Sequence, residues 1–399
     1  MATRIAITGI GAITPLGIGA ETLHSFAINS TCGIQDGYGR CLDFEPIDFL
    51  GRREARRTDR FAQFALAAAI EAIEQAGMNQ QTSYPPEAIT TIIGTAIGGL
   101  RTIEQQAEIV RTHGINASSP LSVPMLMANA ASALIAMRYD FKGEASALTA
   151  ACASSAQAIV AGVRAIRSGD ADVAIVGGAE ATLTDFAQSI FLTAGALSPT
   201  GVSLPFHARR NGFVMGEGAG VLVLERWETA KVRGAKILGE ILGYGTTTDA
   251  FHITSPDPSI SQPARAMSTA FRSANITSSD VAYVNAHGTG TLINDSIEAR
   301  ILSATLKENT PQIPVSSSKS YLGHLMGAAG AVELIVALLA LRNGVAPATY
   351  GLDEIDPNIA PLNHVTKAIG LPHNRSVAVS NSLGFGGHNV AITIKATEK

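Results

Sequence analysis

"ALTAACASSAQAIVAGVRAIRSG" (residues 147–169) is the stretch on which the fold turns. It opens as a short strand, passes through a turn of small side chains, and continues as a helix that stops at Arg167-Ser168-Gly169. A second stretch, "PVSSSKSYLGHLMGAAGAVELIVALLALRNG" (314–344), repeats that order and stops at Arg342-Asn343-Gly344. Each helix closes on a cation and a glycine, residue types that complement the exposed carbonyls of a helix C-terminus. Upstream the likeness continues. The helical run "FAQFALAAAIEAIEQAG" (61–77) precedes "TTIIGTAIGG" (90–99), as "PARAMSTAFRSANI" (263–276) precedes "VAYVNAHGTG" (281–290). These parallels support an internal duplication.

Apolar runs of strand length, Arg4 to Thr8, Thr91 to Gly94, Val173 to Val176, Ala282 to Asn285 and Val377 to Ser380, alternate with alanine-rich helical stretches. That alternation predicts an α/β fold, and the scarcity of charge in the runs predicts sheets covered on both faces. With 399 residues, 46% hydrophobic and 16% charged, the chain can bury a large core. A net charge of -4 argues against nucleic-acid binding, which needs a strong cationic surplus. Three cysteines, Cys32, Cys41 and Cys152, in no CxxC spacing suggest neither disulfides nor a metal site, and a reducing, cytoplasmic setting is expected. The start "MATRIAITGIGAITPLG" lacks the features of a secretory signal. The longest apolar helical stretch, Leu334 to Leu341, is too short to span a bilayer, so a soluble protein without membrane insertion is expected.

Cys152 sits where a strand turns into a helix N-terminus, a place that stabilises an anion and can favour a thiolate. Taken alone, such a cysteine is as readily an inert core residue. His287 in "NAHGTGT" and His324 in "SKSYLGHLMGAAG" follow strands at matching places, among small neighbours that leave room for a ligand. The three together point to nucleophilic catalysis assisted by imidazole. Lys319 adds a cation five residues before His324. "GIGAITPLG" (9–17) is not a dinucleotide loop, because Thr14 replaces the third glycine and Pro15 interrupts the helix that should follow. "GFGGHN" (384–389) has the glycine content of a tight turn or a close backbone approach to ligand.

At these residues the chain resembles the β-ketoacyl-acyl carrier protein synthases, most closely the type II elongating ketosynthases of the thiolase-like superfamily. The resemblance runs through "TGIGAITPLG", "TAACASSA", "DADVAIVGGAEA", "GFVMGEGAGVLVLE", "DAFHITSP", "NAHGTGT", "SSSKSYLGHLMGAAGAVE" and "NSLGFGGHN", almost the whole chain. It implies a five-layer αβαβα sandwich of two similar halves, 1–239 and 240–399, and a homodimer, with a ketosynthase-like partner as the alternative. It implies decarboxylative condensation through an acyl-Cys152 intermediate, with the backbone N–H groups of Cys152 and Phe385 as oxyanion hole and His287 and His324 holding the malonyl carbonyl. Lys319 and Glu333 match the supporting charged pair, and Asp249 and Glu298 match acidic positions of the surrounding network. Thr254, Ser255, Thr289 and Thr291 match positions along the phosphopantetheine arm, which arrives on the acyl carrier protein, so no resident cofactor or metal is expected. Phe385 matches the acyl-pocket gate. Ile97 keeps the usual bulk on the acyl pocket, whereas Ser122 replaces a common phenylalanine and predicts a roomier pocket. "PFHARRNGF" carries His207 and Asn211 in place of acidic residues, and Gly195 replaces a carrier-binding arginine. Docking of the acidic carrier is therefore expected on Arg52, Arg53, Arg56, Arg57 and Arg60. A polyketide or polyene ketosynthase would share all these catalytic residues. A chain-length-factor-like subunit is disfavoured by Cys152, and a degradative thiolase by the lack of any cysteine after it.

Overall fold

A computed structural model describes residues 3–79 and 82–398. Among the described residues the main sheet has twelve strands, two of them only two residues long (Gly17–Ile18 and Asn363–His364); the other ten are β1 (Ile5–Thr14), β2 (Ile89–Gly94), β3 (Ala145–Leu148), β4 (Val173–Glu180), β5 (Gly218–Arg226), β6 (Gly239–Thr248), β7 (Val281–Asn285), β8 (Pro314–Ser316), β9 (Val377–Gly384) and β10 (His388–Ala396). In space they run β3-β2-β4-β5-β1 and then β6-β10-β9-β7-β8. Adding five to each label of the first set gives its counterpart in the second. The pairings match too: β2 is parallel to β3 and β4, β5 is antiparallel to β4 and β1, and the second set repeats this. The two sets meet where β1 pairs antiparallel with β6, from Ile5 opposite Ile241 to Ile7 opposite Gly239.

Four helices complete the layers: α1 (Arg60–Gln75), α2 (Ser154–Ser168), α3 (Ser261–Ala274) and α4 (Ala329–Asn343). α1 covers the outer face of the first set and α3 that of the second, while α2 and α4 lie side by side between them. Strand alternation shows how the layers are filled: Leu222 and Leu224 of β5 face the central helices, and Val221 and Val223 face α1. Both faces of β2, β4 and β5 are covered, and these strands are buried along nearly their whole length. The central helices end as their sequences predicted, on Gly169 (φ 92°) and Gly344 (φ 67°) in the left-handed region. Met326–Asn343 is apolar and long enough by composition to cross a membrane, but 83% of it is buried inside the protein between the two halves of the sheet, which accounts for its apolarity.

The glycines of "GIGAITPLG" owe their place to packing. A Cβ on Gly9 or Gly11 would stand 1.9–2.0 Å from the backbone oxygens of Ala72 and Ala68 in α1. Gly243 and Gly245 of β6 meet Ala270 and Ala266 of α3 in the same way, at 2.6 and 1.9 Å. In each half, two glycines let the outer helix lie directly on the first strand.

Candidate active site

Strand β3 delivers Cys152 to the cavity through a sharp corner. Ala151 takes a left-handed φ of 49°, a conformation a residue with a Cβ adopts only at some cost, and α2 starts three residues later at Ser154. Gly384, at the end of β9, lies against this corner; a Cβ there would stand 2.9 Å from Ala150 O and 3.4 Å from Cys152 N. The next residue, Phe385, directs its backbone N–H at the Cys152 sulfur. Burial lifts the thiol to about 11, against the pull of Lys319 and that N–H. This reverses the expectation of a thiolate: the helix end is there, but removal of the sulfur from water outweighs it.

His324 leaves β8 by way of a short helical turn, and its backbone is clipped to "GFVMGEG" by His324 N–H to Val214 O (2.7 Å) and Gly216 N–H to His324 O (2.9 Å). Its Nδ1 accepts the Met326 N–H at 3.3 Å, which leaves the ring proton on Nε2, 3.0 Å from Cys152 Sγ. His287 follows β7. Its Nδ1 lies 3.3 Å from Lys319 Nζ, which can only donate, so its proton too is on Nε2. The two rings meet edge to face with centroids 5.5 Å apart, and the reactive atoms of Cys152, His287 and His324 all lie within 4.8 Å of one another. Burial, and then the Lys319 charge, hold both imidazoles well below their ordinary pKa. They are neutral at pH 7 and present two Nε2–H donors. A triad of this composition could also ligate a metal ion, but the Lys319 ammonium beside it opposes a second cation.

Buried carboxylates hold these turns. Glu333 pairs with Lys319, whose Nζ also donates to His287 O at 2.6 Å; burial lifts Glu333 to about 7, with Lys319 pulling it down. Glu298 accepts the N–H groups of His287 and Gly288 and the Asn381 amide, each at 2.7 Å. Asp249 accepts from Asn389 Nδ2 (2.7 Å) and Asp257 N–H (3.1 Å), which fixes the "GFGGHN" loop.

Two acids in the site went unnoticed in the sequence reading. Asp295 accepts the N–H groups of Phe206, Thr289 and Gly290, and Glu180 those of Ala96 and Gly327. A lone glutamate closing an otherwise apolar strand was the available signal, since a fully buried charge needs partners.

A cavity of about 660 Å³ opens over the triad. Thr254, Ser255, Thr289, Thr291, Ile97, Phe385, Asp249, Gly195 and Asn211 all stand on its wall with Cys152, His287 and His324. Ser122 is not among the residues of this chain that line the cavity; it is buried at the start of the helix Ser122–Leu126. Arg60 departs from expectation. It is ion-paired with Glu217 at 2.8 Å, donates to Cys41 O and lies over the Phe64 ring, so it is a packing residue of the interior. Arg52, Arg53, Arg56 and Arg57 are exposed. His207 is buried and hydrogen-bonded to Asp353 at 2.7 Å.

A cysteine at a strained strand-to-helix corner, facing two neutral imidazole donors across the seam of a duplicated fold, defines the thiolase-like condensing enzymes. Within that class the chain matches the beta-ketoacyl synthase N-terminal domain over residues 40–230 and the C-terminal domain over 238–353, and it belongs to the beta-ketoacyl synthase family. It is 38% identical to a 3-oxoacyl-[acyl-carrier-protein] synthase 2 of Synechocystis sp. (strain ATCC 27184 / PCC 6803 / Kazusa), over 98% of each chain. Among solved structures it is similar to the ishigamide ketosynthase/chain length factor (32% identity, TM-score 0.92, 100% of each chain). It is also similar to AntDE:AntF, a type II polyketide synthase acyl-carrier protein in complex with its ketosynthase bound to the hexaketide (26% identity, TM-score 0.89, 100% of each chain).

Proposed function

We propose that the chain elongates acyl chains by decarboxylative condensation with malonyl-acyl carrier protein, as an acyltransferase of fatty acid synthesis. The observation that carries this reading is the pair of neutral imidazoles, each with its proton held on Nε2 and aimed into a cavity beside a nucleophilic sulfur. In the first half-reaction Cys152 Sγ attacks the carbonyl carbon of a carrier-bound acyl thioester. The new thioester forms as the pantetheine sulfur leaves with the proton given up by the cysteine. The Cys152 and Phe385 N–H groups take the developing oxyanion. In the second, the malonyl thioester places its carbonyl oxygen between the two Nε2–H donors. Loss of carbon dioxide leaves its electron pair in that enolate, whose carbon attacks acyl-Cys152 and expels the Cys152 thiolate, which takes up a proton from solvent to restore the thiol. Donors that stay neutral suit this step, because they stabilise the enolate without protonating its carbon.

Thr254, Ser255, Thr289 and Thr291 line the route for the pantetheine arm, and Arg52, Arg53, Arg56 and Arg57 offer an acidic carrier a cationic face. No resident cofactor is invoked. The outer edge of β3 ends the sheet, with backbone groups free to pair with a second copy or a ketosynthase-like chain, so we assign dimerisation to it. The free thiols suit a cytoplasmic enzyme. A polyketide role rests on the likeness to the ishigamide protein. Mass spectrometry after incubation with acyl carriers of graded length tests both readings. One acyl adduct on Cys152, absent in Cys152→Ala and discharged by malonyl carrier to give a carrier-bound β-ketoacyl product two carbons longer, is expected. Saturated chains as best substrates fit fatty acid synthesis and conjugated chains the alternative, while an adduct persisting in Cys152→Ala would refute both.

A further inference from the structure

Glu180 ends β4 beneath the cavity, fully buried, and takes no part in the chemistry just described. Its carboxylate bonds to two loops that meet at Ala96 and Gly327. Oε2 accepts the N–H of Ala96 at 2.6 Å and that of Gly327 at 3.0 Å, and Oε1 accepts the Thr95 hydroxyl at 3.1 Å. Thr95 Oγ1 in turn accepts the Gly98 N–H at 3.0 Å. On one side the carboxylate therefore fixes the loop that follows β2, whose Ala96 and Ile97 form part of the cavity wall. On the other it fixes the turn whose Met326 N–H holds His324 Nδ1 and so keeps that ring's proton on Nε2. The fit leaves no slack, since a Cβ on Gly327 would stand 2.3 Å from Ala96 N and 2.6 Å from Glu180 Oε2.

We propose that Glu180 is a positioning residue that couples the Ala96–Ile97 wall to the His324 turn, so that displacement of the wall by an acyl chain alters the placement of the imidazole donor. Two N–H groups converge on one oxygen, so a shift of either loop by a few tenths of an ångström must be shared by the other. Hydrogen bonds to an ionised group are about twice as strong as neutral ones, which makes this link stiffer than an amide or hydroxyl would. Burial raises the Glu180 carboxyl to about 7, opposed by these donors, and places it near the working range of a cytoplasmic enzyme. The inference rests on the condensing reading for its consequence, namely that acyl length and condensation rate are set together.

The test needs two readouts that require neither carrier nor condensation. Alkylation of Cys152 by N-alkyl iodoacetamides of increasing chain length reports the wall, and the ¹⁵N shifts of the His324 ring report its tautomer. Glu180→Gln should change the discrimination between short and long reagents by about threefold or more, a fraction of the strength of a charged hydrogen bond. It should also move the His324 signals from a pure Nε2–H form toward a tautomer mixture. Thr95→Val perturbs the carboxylate from the wall side, and because Ala96 and Gly327 also touch directly, passage through Glu180 is read as a movement of the His324 signals that is larger in Thr95→Val than on adding the same change to Glu180→Gln. Such a difference is the expected result. A change in one readout alone in Glu180→Gln, equal movement in the two backgrounds, or unchanged His324 signals in Thr95→Val, which can be read even should Glu180→Gln not fold, would overturn the coupling. Failure of the wild-type protein to condense acyl and malonyl carriers would instead refute the function and leave both readouts intact.

Discussion

Replacing Lys319 by methionine separates the two things this buried ammonium does. Lys319 is 2% exposed, holds His287 through Nδ1 and the backbone oxygen, and neutralises Glu333. Removing it strands the Glu333 carboxylate in the interior, and breaking a buried pair from one side costs about 3–5 kcal/mol. Glu333 already sits at about 7 and will protonate in the variant, so the low end of that range is expected at pH 7 and the high end at pH 9. The double variant Lys319→Met/Glu333→Leu replaces the pair with apolar groups of similar size and should recover stability to within about 1 kcal/mol of wild type. Activity should not follow. Without the ammonium, His287 is free to carry its proton on Nδ1 and loses its donor toward the malonyl carbonyl, a loss of about a hundredfold or more. Urea unfolding gives the stabilities, and release of labelled carbon dioxide from malonyl carrier gives the rate. A double variant that regained both stability and decarboxylation would show Lys319 to be a counter-ion and no more.

His364 is half-buried against Phe206 with both ring nitrogens buried and unpartnered among the described residues, and that burial lowers it from 6.5 to about 4. Below pH 6.5 the unfolded chain gains a proton that the folded one does not, so at pH 4.5 this ring should cost about 2.5 kcal/mol of stability, a loss that His364→Phe abolishes in unfolding curves; equal acid sensitivity of both proteins would refute it. The raised Cys152 thiol should make iodoacetamide alkylation climb about tenfold per pH unit from 7 to 10, and a rate level above pH 8 would reveal a thiolate. Arg52→Glu/Arg53→Glu should raise KM for carrier-bound acyl groups about tenfold and spare small pantetheine thioesters, whereas equal losses would remove the arginines from docking.

Much of the architecture was readable because it is local. Helix C-caps, strand-length apolar runs and the positions of Cys152 and the two histidines are set by neighbours in sequence, and the duplicated order of elements links them. What escaped depends on distant partners. Arg60 looks like one of five surface arginines until Glu217, 157 residues away, closes on it. The helix N-terminus before Ser154 suggested an activated thiol, but the enclosure of the sulfur is built from both halves of the chain. Glu180 closes an apolar strand within "DADVAIVGGAEA", but what it and Asp295 hold is shown only by the N–H groups that converge on them from distant turns.

The corner that bears Cys152 and the turn that bears His324 precede corresponding helices, α2 and α4, in the two halves. One repeat has kept the nucleophile and the other a proton donor, so neither contains a working centre alone. Their alignment depends on the β1–β6 seam and on the contact where a Cβ on Gly330 of α4 would meet Ala156 of α2 at 2.8 Å. Symmetry has thus become an evolutionary restraint: the surface of each repeat can diverge freely, but along this joint a change in one copy obliges an answering change in the other.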